Sequence, residues 1–202
     1  MDQERMSDIG RTASAVGLVA IASPVSLATF FAIGGPFGTV NDLCNGAVGV
    51  LSAALAWQLR DSLAERSRRP ALAAAGVGAA LTILGSTLVV SGTTGFVFAG
   101  LVSSVGFAGI GAWLVALSSG AQTRSWPVSL RRLGLLAGSL MTLGIVAVPG
   151  IAQRLDDMAT APGWVWIAFL GWLGVFVVYP AWALRLAARG PSAAYSRVPT
   201  PS

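Results

Sequence analysis

Six apolar runs of about twenty residues, parted by short polar breaks, leave this chain few ways to fold. They cover residues 12–33, 40–59, 70–91, 96–117, 133–151 and 163–184. Coiled as a helix at about 1.5 Å per residue, each run matches the hydrocarbon thickness of a bilayer. In lipid the backbone must satisfy its own hydrogen bonds, and a helix does so within one segment. Of the 202 residues, 54% are apolar and 10% charged, against about 25% charged in a soluble domain. The expected fold is an all-α integral membrane protein with six transmembrane helices.

The charges say how such a bundle is threaded. All 13 cationic residues are Arg, and the net charge is +5. With six spans both termini share one side. Twelve Arg residues then fall on that side, at 5, 11, 60, 66, 68, 69, 124, 131, 132, 185, 189 and 197, and Arg154 alone falls on the other. By the positive-inside rule the Arg-rich side is cytoplasmic. The chain is thus expected in the cell (inner or plasma) membrane. A cytoplasmic N-terminus (1–11), a membrane domain (12–184) and a disordered cytoplasmic tail (185–202) complete the layout. Trp57, Trp113 and Trp182 are expected at the inner interface and Trp164 and Trp166 at the outer one.

The spans pair into three hairpins that resemble one another. The even-numbered runs each begin after a Gly (Gly38, Gly95, Gly163) and end in Ala-Trp (Ala56-Trp57, Ala112-Trp113, Ala181-Trp182). Odd-numbered runs start near Arg11, Arg69 and Arg132, with Gly17, Gly76 and Gly138 six or seven residues on. Three like hairpins imply repeats about an axis along the membrane normal. In layout alone the chain resembles small three-hairpin membrane proteins of the HdeD type, a likeness that implies no function and no residue role.

The repeat shows where the copies differ. Asp42 corresponds to Ala99 and Ile167, Asn41 to Phe98 and Trp166, and Asn45 to Val102 and Leu170. Asn41 and Asn45 stand one helical turn apart with Asp42 beside them. An ionisable group within a membrane segment is costly and marks a functional candidate. Asp42 also stands near a helix start, where a carboxylate favours the dipole. Asp42 is the candidate catalytic residue, with Asp156 and Asp157 as weaker ones. Asn41, Asn45 and Arg154 are candidate ligand-binding residues, and Asn45 and Arg154 are the expected partners of Asp42.

Other features complete the set. Phe169, Trp172, Phe176 and Tyr179 recur at helical spacing and are candidates to line a ligand pocket. Gly100, Ser104, Ala108 and Ala112 form a small-residue ridge for close packing, within the bundle or against a protein partner. Cys44 is a small packing residue.

With no His and one Cys, His-based zinc sites, Ser-His triads and internal disulfides are excluded. No Gly-Lys phosphate loop and no Cys pair occurs. Neither metal nor other cofactor is expected, and nucleic acid is not an expected partner. Three classes of function remain. One is a binder or carrier of a lipophilic small molecule, with a pocket at the outer mouth. Another is a cofactor-free cyclase or isomerase with Asp42 as general acid. The third is an accessory subunit of a larger membrane complex. Membrane lipid is a partner in all three.

Overall fold

A computed structural model describes residues 3–188, with side chains from Glu4 onward. The expected disordered tail falls mostly outside these residues. The described elements are helical throughout: α1 Gln3–Ile33, α2 Phe37–Gln58, α3 Glu65–Val90, α4 Phe96–Ser119, α5 Val128–Thr142, α6 Val148–Ala152, α7 Val165–Leu173 and α8 Tyr179–Ala188. Short 3₁₀ turns join several of them, and a π-turn, Gly174–Val178, joins α7 to α8. Five helical segments are long and apolar enough to cross a membrane: Glu4–Ile33, Glu65–Val90, Phe96–Ser119, Val128–Ala152 and Val165–Ala188. α2 is not among them, because Asn41, Asp42 and Asn45 dilute its apolar character.

The helices outrun their apolar stretches. Residues 60–70 read as a charged loop, but after a 3₁₀ turn at Arg60–Ser62 helix α3 already begins at Glu65 and runs through Pro70. Arg and Glu are good helix formers, and Glu65 sits in the first turn where the dipole favours it. Likewise α5 starts at Val128, behind Pro127, within what reads as a polar loop.

α4 is the hub. Of its apolar stretch, 72% is buried inside the protein, against 22% for α1. It packs on α3, α5, α6 and α7, while α2 bridges α1 and α3, and α8 returns to α1 to close the bundle. Small residues allow the closest approaches. A Cβ on Gly106 would stand 2.6 Å from the Gly78 carbonyl of α3, and one on Gly138 of α5 would stand 2.7 Å from the Gly111 carbonyl. Close backbone approach of this kind is how helices associate where lipid competes for apolar surface. The ridge on α4 is spent in the same way. Gly100, Ser104 and Ala108 are buried within the chain and only Ala112 is exposed.

The last two runs are broken. Pro149 and Pro180 each lack an N–H, and each ring would crowd the carbonyl four residues back. Ahead of Pro149 the helix tightens into a 3₁₀ turn, Leu143–Ala147. Ahead of Pro180 it widens, and the Tyr179 N–H reaches the Gly174 carbonyl. The tryptophans differ accordingly. Trp57 is 62% exposed, with Arg60 over its ring, whereas Trp113 and Trp182 are fully buried edge to face. For those two the interfacial expectation is corrected: they are core residues.

Candidate functional site

The polar corner of α2 folds inward at the bundle end that carries the α1–α2 and α3–α4 turns. Asn45 lies eight residues into α2, about 12 Å from its start at 1.5 Å per residue. Ser23 of α1, itself fully buried, stands opposite. Its hydroxyl lies 2.8 Å from Asn41 Oδ1 and 2.9 Å from Asn45 Oδ1. One hydroxyl proton serves one acceptor at a time. Asn41 in turn donates Nδ2 to Asp42 Oδ1 at 3.1 Å. Burying these groups without partners would cost several kcal/mol, of order 1–3 each, so the chain of bonds is what makes the corner tolerable in an apolar bundle.

Asp42 and Asn45 line a narrow interior cleft. Its other walls are Gly85, Ser86 and Val89 of α3, Phe96, Ala99, Gly100 and Ser103 of α4, and Trp172 of α7. The free space is about 10 Å³, the room of a single water. Ser86 is 7% exposed, and its Oγ is buried and makes no hydrogen bond. Phe96 and Trp172 meet edge to face at 6.3 Å, and Trp172 Nε1 donates to Ser104 Oγ at 2.8 Å. The indole is thereby held at one end while its ring borders the cleft.

A second, apolar hollow lies on the outer side of the same α2–α3 seam. It is an open groove of about 390 Å³ walled by Leu43, Gly46, Ala47, Val50, Ile83, Ser86, Thr87, Val90 and Ser91. Ser86 borders both spaces. The seam is thin there, since a Cβ on Gly46 would sit only 3.3 Å from Ser86 Oγ.

Neither expected partner, Asn45 or Arg154, bonds to Asp42, whose hydrogen bond comes from Asn41. Arg154 is exposed, and neither it nor Asp42 forms an ion pair among the described residues. Asp156 instead accepts the backbone N–H groups of Gly95 and Phe98, capping α4 across the bundle. Asp157 accepts the Ala159 N–H and caps a 3₁₀ turn, Met158–Thr160. Both carboxylates hold loops, and neither lines the Asp42 cleft.

No family model, curated protein or solved structure matches this chain. The residues themselves therefore carry the functional argument. Of the aromatic stripe, only Trp172 reaches the cleft. Phe169 packs against the smaller core cluster that includes Leu101 and Ala147, and Phe176 leans on the main core. Tyr179 is fully buried, stacked on Trp182 and bonded to Ser52 at 2.9 Å. The extra residue of the π-turn separates Tyr179 from the stripe. Four contributors escaped the sequence reading: Ser23, Ser86, Ser103 and Phe96. Their signal was a hydroxyl, or a ring at a helix start, at one depth on neighbouring helices.

Proposed function

We propose that this is a six-crossing membrane protein that binds a lipophilic small molecule at the α2–α3 seam, with the apolar body in the outer groove and the polar end directed to the Asp42 cleft. The observation that carries this reading is the Ser86 wall, with an apolar groove on one side and an unsatisfied polar cleft on the other. Binding sites for small apolar ligands combine mostly apolar walls with a few placed polar groups, and the seam has that make-up. The enzyme reading is less favoured, because Phe169 and Phe176, which would flank a cationic intermediate, do not line the cleft.

α2 counts as a crossing in this proposal. Its 22 residues reach about 33 Å, enough for the roughly 30 Å hydrocarbon core. The Arg-rich end is cytoplasmic and the Asp42 end outward-facing, by the positive-inside rule. The three-hairpin repeat belongs to the same proposal. It is supported by the matched Gly and Ala-Trp spacings, and the third copy is modified by its 3₁₀ and π-turns.

The test is photolabelling in phosphatidylcholine nanodiscs with a diazirine-bearing hexadecanol. Label is expected to concentrate on Leu43, Ala47, Ile83 and Val90, and Ala47→Trp should remove it by filling the groove. Even labelling of other exposed apolar positions, such as Val77, Leu136 and Val177, would overturn the reading.

A further inference from the structure

We infer that the head group accepted at this seam is a primary ammonium, so that the ligand class is long-chain primary amines. The inference rests on the binding reading above and goes beyond it by naming the chemistry. Asp42 is the one carboxylate that borders the cleft, and its one hydrogen-bond partner is the neutral amide of Asn41. That bond occupies Oδ1, and among the described residues no donor reaches Oδ2. Ser86, whose Oγ is buried and unpartnered among the described residues, lines the same space. Asn45 also lines the space, with its Oδ1 within reach of the Ser23 hydroxyl at 2.9 Å. The cleft thus offers a charged acceptor and a hydroxyl, and among the described residues no Arg lines it.

Size narrows the choice. A space of about 10 Å³ admits one group of water's dimensions. An –NH₃⁺ head fits and brings three donors, whereas a trimethylammonium head does not fit and brings none. The rings of Phe96 and Trp172 border the same space and favour a cation at their faces. A sulfate or carboxylate head would instead meet Asp42 as a like charge. For the alkyl chain to lie in the outer groove, the Gly46–Ser86 contact that separates the two spaces has to part. Charge balances by either route of entry. An ammonium meets the carboxylate, or a neutral amine takes the proton from the carboxylic acid. Both end in one ion pair of zero net charge, which the apolar surroundings tolerate far better than either ion alone.

The test is competition against the same diazirine-bearing hexadecanol in the same nanodiscs. Competitors are hexadecylamine, hexadecanol, hexadecyltrimethylammonium and hexadecyl sulfate. Hexadecylamine should displace the probe at about tenfold lower concentration than any of the others, a gap of about 1.4 kcal/mol. Asp42→Asn should bring the amine level with the alcohol while seam labelling persists. Ser86→Ala removes only a hydroxyl without a partner, so the variant should fold, and the amine preference should shrink severalfold. Equal competition by amine and alcohol in the native protein, or a preference unchanged in Ser86→Ala, overturns the amine assignment and leaves the binding reading intact. Loss of seam labelling altogether in the native protein overturns both.

Discussion

Asp156 and Gly95 are 61 positions apart in sequence, and the Asp156 carboxylate accepts the Gly95 N–H at 2.6 Å through Oδ2 and the Phe98 N–H at 3.0 Å through Oδ1. A loop carboxylate therefore caps the central helix in place of any local side chain. Helix caps are worth about 1–2 kcal/mol, more when the acceptor is charged. Asp156→Ala should destabilise the protein by that amount, and Asp156→Asn, which keeps one acceptor oxygen, by less. Thermal unfolding in detergent reads the difference. An unchanged midpoint for Asp156→Ala would refute the capping role.

The Ser52–Tyr179 bond ties α2 to α8 in a fully buried setting. Removing either hydroxyl strands the other at a cost of about 1–3 kcal/mol. Ser52→Ala and Tyr179→Phe should each destabilise, and the double variant should cost clearly less than their sum. That non-additivity is the signature of a direct pair. Simple additivity in the same unfolding assay would show that the two hydroxyls act independently.

At the Arg-rich end, Arg5 donates to Asp61 Oδ2 at 2.6 Å and to the Gln58 carbonyl at 3.0 Å. The Arg5 hydrogen bond, helped by the charges of Arg5, Arg60 and Arg68, holds the Asp61 carboxyl below its ordinary value. A depressed folded-state pKa adds stability that is present above the unfolded value of about 3.9 and is lost as pH falls through the folded one. The pair is solvent-exposed, so the gain is below about 1 kcal/mol and salt screens it. Asp61→Asn should flatten that part of the stability-versus-pH curve below about pH 4. In high salt, native and variant curves should coincide; a persistent gap there would contradict a screened surface pair.

Threading is checked by cysteine labelling in a Cys44→Ala background. Pro36→Cys and Thr93→Cys should react with an impermeant maleimide on intact cells. Ser67→Cys and Gln122→Cys should react only after permeabilisation. Reaction of Pro36→Cys and Ser67→Cys from the same side would remove α2 from the set of crossings.

Much of the architecture was legible because hydropathy and helix length are set by the bilayer, independent of neighbours. Helix ends were not. Glu65, Arg66 and Arg68 are polar yet good helix formers, so helix and apolar run part company there. The Asp42 corner stood out because the proposed repeat sets apolar residues, Ala99 and Ile167, against Asp42. Ser86 and Ser103 did not, since a hydroxyl in an apolar run usually bonds its own helix, as Thr82 does to Gly78 and Ser104 to Gly100. The proposed Asp42–Arg154 pair failed for a different reason. Arg154 sits at a positive φ of 53° in a surface turn, and it is Asp156 from that loop that bonds back to the bundle.

The burial of α4 bears on how the protein is made. This helix leaves the ribosome fourth among the long helical stretches, with α1–α3 already available but α5 to α8 not yet synthesised. Until they arrive, Gly111, Ser104 and Gly100 face lipid instead of Gly138, Gly144 and Trp172, the groups they finally meet. The half-built bundle therefore displays a strip of small and hydroxyl-bearing residues without its final packing partners, and completion of the last two runs is the step that hides the strip.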